Sequence, residues 1–139
     1  MRKSHRIDVG PLGALIQVGL NVGTTQAQLG LGGPPQSRTG LIDTGASRTA
    51  ISRAVYGVLQ PAVSGSAWYR RPGGAVVRAD RHAVRLNFEG HLSSNPWFDL
   101  EVVVADPATP GIDVLVGMDV ISQLVLFYEG ASGTMILAY

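Results

Sequence analysis

Glycine and proline interrupt this chain so often that no regular element can run long, with eighteen glycines and eight prolines spread through 139 residues. Between them lie short apolar runs such as Leu41-Ile42, Val102-Val103-Val104 and Val114-Leu115-Val116. Turn formers alternating with short β-branched runs are the pattern of an all-β domain. Strands are predicted over 14–20, 39–42, 75–79, 83–88, 98–105, 114–116, 125–128 and 134–138. Two stretches depart from that pattern. Val55, Val58 and Leu59 recur at helical spacing behind Ser52, a residue type suited to an N-cap, so 52–59 is predicted to be a short helix. Val120, Ile121 and Leu124 repeat the spacing, with Asp119 at the end where a helix dipole favours an acid, so 118–124 is predicted to be a second. Residues 23–38 hold Gly30, Gly32, Gly33, Pro34 and Pro35 without apolar periodicity and are expected to be a long surface loop. The Gly-Leu-Gly-Gly run inside it lacks the glycine spacing and the Lys-Ser/Thr ending of a phosphate loop.

A chain of this length suits one domain, 1–139, with one core. Residues 1–10, rich in Arg2, Lys3, His5 and Arg6, are expected to be a flexible tail. Its apolar fraction of 45% is that of a globular protein, and no apolar run approaches the roughly 20 residues that cross a bilayer. Eleven basic and ten acidic residues leave a net charge of +1, which argues against nucleic acid as a partner. There is no cysteine, so disulfides, thiolate ligands and thiol redox chemistry are excluded. The start of the chain lacks the apolar stretch of a secretion signal, and a cytoplasmic protein without membrane association is expected. His5, His82 and His91 do not have the spacing of a zinc site, and no metal or other cofactor is called for. Ser47 does not stand in Gly-x-Ser-x-Gly, so a serine nucleophile is not indicated.

The chemistry-bearing candidate is Asp43. In Leu41-Ile42-Asp43-Thr44-Gly45-Ala46-Ser47 a carboxylate follows directly on an apolar strand and precedes a glycine that permits a tight turn. Asp-Thr-Gly alone is a weak signal, arising by chance in roughly one or two chains per hundred of this length. On the tripeptide alone, a turn in which Asp43 or Thr44 only caps the backbone is as good a reading.

The wider arrangement resembles the retropepsin-like aspartic proteases. In that family a strand ending in Asp-Thr-Gly-Ala/Ser is followed by a flap hairpin and then by two apolar residues, a glycine and a helix. Leu115-Val116-Gly117-Met118-Asp119 is similar to the distal element, about seventy residues after Asp43, and Ala50-Ile51-Ser52 also fits. The resemblance runs from about residue 14 to 128, and Gly117-Met118-Asp119 is closer to the cellular and bacterial branch than to the retroviral one. Retroviral members carry an Arg and an acid where this chain has Met118 and Ser47. Both partners of that ion pair are missing together, so no charge is left buried alone.

The resemblance implies an all-β acid-protease barrel subunit with one or two short helices, and peptide-bond hydrolysis by a carboxylate pair. One carboxylate cannot accept water's proton and donate one to the carbonyl oxygen at the same moment; two sharing a proton can. This chain has one Asp-Thr-Gly, so the second must come from a second copy across a twofold axis. By the same resemblance Thr44 bonds across the axis, Gly45 lets backbone approach the substrate, and Ala46 keeps the turn small. Leu115, Val116 and Gly117 form the distal loop that backs the turn. A flap is expected over 68–80, with Trp68 and Tyr69 leading to a turn at Pro72, Gly73 and Gly74; an ordinary surface hairpin is the alternative. Arg70, Arg71, Arg78, Arg81 and Arg85 lie in or just after it, as a preference for acidic substrates or as a solvated face. Residues 125–139 read as two apolar strands suited to a subunit interface. The expected partners are a second copy and a peptide or protein substrate. Rival readings are a retropepsin-fold dimerisation or peptide-binding module with little turnover, and a small ligand-binding barrel.

Overall fold

Strands dominate the computed structural model, which describes residues 4–70, 73–89 and 96–139. In chain order the elements are β1 (Ser4–Asp8), β2 (Leu15–Val22), α1 (Thr24–Gln28), β3 (Gln36–Ile42), β4 (Ala50–Ile51), α2 (Arg53–Leu59) and β5 (Val63–Arg70). They continue with β6 (Val76–Phe88), β7 (Phe98–Val104), β8 (Val114–Val116), α3 (Met118–Ile121), β9 (Val125–Glu129) and β10 (Thr134–Ala138). The larger sheet runs β2-β3-β8-β4-β7-β6-β5, and β2 also pairs with β6. That extra pairing closes six strands into a barrel and leaves β5 outside the ring, hydrogen-bonded to β6. A second sheet, β1-β10-β9, packs beside it.

Side-chain alternation explains the closure. Along β6, His82, Val84, Leu86 and Phe88 are buried while the residues between them are partly exposed, the period-two pattern of a strand with one face on a core. Val18, Leu20, Ile51, Val102, Val114 and Val116 meet them with no residual exposure. His82 is carried inward with this row; its Nδ1 lies 3.1 Å from the Pro61 carbonyl and its ring meets Tyr56 edge-on.

Several elements differ from expectation. Residues 4–8, expected within a flexible tail, form β1, paired with β10 from Ser4↔Ala138 to Asp8↔Thr134. His5 stacks on Tyr139, and Phe88 and Phe98 complete that aromatic cluster. The Tyr139 hydroxyl lies 2.8 Å from His5 Nε2, and burial raises the phenol above its ordinary range. The loop expected over 23–38 contains α1 and the first half of β3. The segments predicted at 75–79 and 83–88 are one strand, β6, because Asp80 and Arg81 pair with β5 and His82 pairs with both β5 and β7. Helix α2 begins as its sequence dictates: Val55 N–H donates to Ser52 Oγ at 3.2 Å, and Gln60 closes the other end in a left-handed conformation. Helix α3 stops at Ile121, three residues short of the predicted end.

Candidate active site

Asp43 stands immediately after β3. That strand runs parallel to β8 with Leu41 beside Leu115 and Ile42 beside Val116. Parallel pairing brings both strand ends to the same edge of the barrel, so Asp43 and Gly117 emerge side by side. Asp43 N–H donates to the Val116 carbonyl at 2.9 Å, extending the ladder to the acid itself. The apolar anchors beneath are Ile42 and Val116, both buried.

The turn then folds back on its own carboxylate. Gly45 N–H donates to Asp43 Oδ1 at 2.9 Å, and Ala46 N–H donates to the Asp43 carbonyl at 3.2 Å. Asp43 and Ala46 are half-buried, whereas Thr44, Gly45 and Ser47 are exposed. Oδ1 is thereby fixed in direction, and among the described residues no donor reaches Oδ2. An ionised oxygen held at a barrel edge with one lone-pair set open can take a proton from a water or share one with a second acid.

The distal segment closes over the turn. Met118 N–H donates to the Ala46 carbonyl at 2.8 Å. At Gly117 the approach is backbone on backbone: a Cβ there would lie 2.5 Å from the carbonyl carbon of Arg48 and 2.9 Å from the oxygen of Ala46. Glycine at 117 is therefore demanded by space rather than by a left-handed conformation, its φ being −94°. Leu115, Val116 and Gly117, expected as a distal element, thus lie beside the turn.

Two residues of the site were not singled out from the sequence for this role. Thr49 has no exposure. Its N–H donates to both oxygens of Asp119 at 3.0 Å, its hydroxyl donates to Asp119 Oδ1 at 2.7 Å, and the hydroxyl oxygen accepts from Gly117 N–H at 3.1 Å. Asp119, read from the sequence as a helix-dipole acid, does accept from Val120 N–H at 3.0 Å, and it also reaches across to the turn. The sequence signal was present: a Thr six places after Asp43 and an Asp two places after Gly117. Ser47 and Met118, lacking the retroviral ion pair, are both exposed.

The hairpin β5–β6 forms with Arg70 opposite Val76, and Gly73 and Gly74 take positive φ values of 95° and 94° between the strands. Pro72 and Arg71 lie outside the described residues, as does His91. Trp68 and Tyr69, both expected on the flap, point to opposite faces because they are consecutive in a strand. Trp68 shares the solvent face with Arg70, Val76 and Arg78, whereas Tyr69, Val77, Ala67 and Ala79 form a half-buried face. The basic residues are likewise divided. Arg81 pairs with Glu101 at 3.0 Å and Arg85 lies 5.3 Å over the Trp97 ring, so both serve the barrel wall. A separate cavity beside α1, bordered by Gln26, Leu29, Leu31, Gln60 and Glu101, contains no residue of the turn. Among the described residues no group of three or more His, Cys, Asp or Glu could hold a metal ion, and no helix is long and apolar enough to cross a membrane.

With this geometry in view, comparison with known proteins is informative in structure rather than in sequence. No family model and no curated protein matches the chain. Among solved structures, a retropepsin-like aspartic protease from Rickettsia conorii aligns over 100% of this chain and 93% of its own, at 13% identity and a TM-score of 0.59. The fold is retropepsin-like. At that identity the likeness speaks for the barrel and its few short helices, and the chemistry rests on the residues themselves.

Proposed function

We propose that this protein is an aspartic endopeptidase that works as a homodimer, with Asp43 of each copy supplying one half of a proton-sharing carboxylate pair. The observation that carries the reading is the placement of Asp43: a half-buried carboxylate at the shared end of two parallel strands, aimed by Gly45 N–H and backed by Gly117. Like charge keeps two such groups from ionising together, so one accepts the proton of an attacking water while the other donates to the peptide carbonyl oxygen. The water is activated without a metal, and no cofactor enters.

The exposed Thr44 and Gly45 are the atoms a second copy would meet across the axis. The open edge of β9 offers the rest of the contact. It is the last strand of its sheet, Val125, Phe127 and Tyr128 are each more than half exposed, and no proline or lysine blunts it. The half-buried face of the β5–β6 hairpin, with Tyr69 and Val77, is the face we assign to the peptide, and Gly73 and Gly74 give its end the freedom a cover needs.

The test pairs sedimentation with digestion of an unstructured protein across a range of pH. Turnover by the wild type, abolished in Asp43→Asn while the dimer persists, is the expected result. A stable monomer with no turnover at any pH would instead indicate a binding module of the same fold, and equal cleavage by both forms would identify a contaminant.

A further inference from the structure

Where the turn and the distal segment meet, Gly117 leaves no space for side-chain packing, so their alignment depends on hydrogen bonds. Two are backbone bonds, Asp43 N–H to Val116 and Met118 N–H to Ala46. The side-chain bracket is Asp119 with Thr49. One carboxylate accepts from Thr49 N–H, from the Thr49 hydroxyl and from Val120 N–H, and the same hydroxyl takes the Gly117 N–H. Among the described residues no Lys, Arg or His lies within 4.0 Å of Asp119. Its charge therefore stays with these donors, and bonds to an ionised acceptor are roughly twice as strong as neutral ones. Thr49 is fully buried, so without the carboxylate its N–H and hydroxyl would lose partners that water cannot replace.

We propose that Asp119 is a positioning residue for the catalytic turn, acting through Thr49 to hold residues 43–46 in register with residues 116–118. The inference rests on reading Asp43 as catalytic and adds to it the device that aims Asp43. It also gives a physical account of the exposed Met118 and Ser47: the brace that an ion pair would supply near the surface is built here one residue beyond Met118 and two beyond Ser47, between half-buried Asp119 and fully buried Thr49.

The experiment uses the full chain and compares Asp119→Ala, Asp119→Asn, Thr49→Val, Thr49→Ser and the double variant Asp119→Ala/Thr49→Val. In steady-state cleavage of a peptide, Asp119→Ala and Thr49→Val are each expected to lower kcat on the order of 10- to 100-fold, because small displacements of a preorganised group are costly. KM should stay within about twofold, since no peptide contact is removed. Thr49→Ser, which keeps the hydroxyl, should return most of the rate, and the double variant should be little worse than either single one. Asp119→Asn keeps one acceptor oxygen and should fold where the alanine form does not, with an intermediate loss of kcat. Hydrogen exchange gives a readout independent of turnover: the N–H groups of Ala46 and Met118 should exchange faster in Asp119→Asn, with the β2–β3 ladder unchanged. A folded dimer of Asp119→Asn with wild-type kcat and unchanged exchange at both sites would overturn the proposal. A wild type without Asp43-dependent cleavage would defeat the protease reading alone, and exchange at Ala46 and Met118 would still decide whether Asp119 holds the turn.

Discussion

The turn at residues 43–49 and the hairpin of β5 and β6 are both exposed in part, yet they are held in opposite ways. The turn is tied to other parts of the chain through Val116, Met118, Thr49 and Asp119, and it grows out of strands whose inward residues are fully buried. Beyond its base, the hairpin is tied chiefly to itself: β5 bonds only to β6, Arg70 donates to the Gly74 carbonyl, and Arg78 donates to Ser66. Local stability follows the number of non-local ties. One region is built to keep a carboxylate still and the other can move as a unit. The proposed activity, which must admit a peptide and then exclude water, would call for both properties in neighbouring parts of one subunit.

Four substitutions sharpen that contrast. The largest effect is expected at Gly117→Ala, where the new methyl would fall 2.5 Å from backbone that cannot step aside. The cost should be about 3 kcal/mol, the top of the usual range for overpacking, measured by denaturant unfolding, with cleavage lost in whatever fraction stays folded. A wild-type midpoint would mean that the two segments are less closely seated than the geometry requires. Next comes the hairpin pair. Tyr69→Ala should raise KM several-fold with modest change in stability, whereas Trp68→Ala, on the solvent face, should leave both close to wild type; equal effects would break the assignment of faces. The smallest is Gly73→Ala. The site is open, so the cost is the left-handed backbone alone, about 1 kcal/mol. Because the hairpin is peripheral, that loss should appear as faster local exchange in 76–80 rather than as a lower global midpoint.

The elements found from sequence are those whose signals are local. The Ser52 cap, the apolar run at 114–116 and the Gly-rich turn at the hairpin each act over a few residues, and each stands where expected. The misses share a different character. Strand β1 reads Ser-His-Arg-Ile-Asp, polar at most positions, and becomes a strand because β10 pairs with it from the other end of the chain. Strand β5, expected only from Trp68 as the first arm of the hairpin, has one β-branched residue in its earlier part, Val-Ser-Gly-Ser-Ala, and is drawn into the sheet by β6. Helix α1, Thr-Thr-Gln-Ala-Gln, buries no residue; Thr24 donates to Asp99, and the Gln26 side chain donates to the Gln60 carbonyl and accepts from Ala62 N–H. None of these causes is visible in a window of neighbours.

The same division runs through the site. Sequence alone determined that a single carboxylate follows an apolar strand into a glycine turn, and that a second apolar strand ending in glycine comes seventy-odd residues later, because strand periodicity and turn chemistry are written in adjacent residues. Only the tertiary structure decided that the two strands lie parallel with their ends together, that Gly117 touches backbone, and that Asp119 reaches Thr49. Those are contacts between segments far apart in the chain. Their geometry is fixed by closing the barrel, which no stretch of the sequence can do by itself.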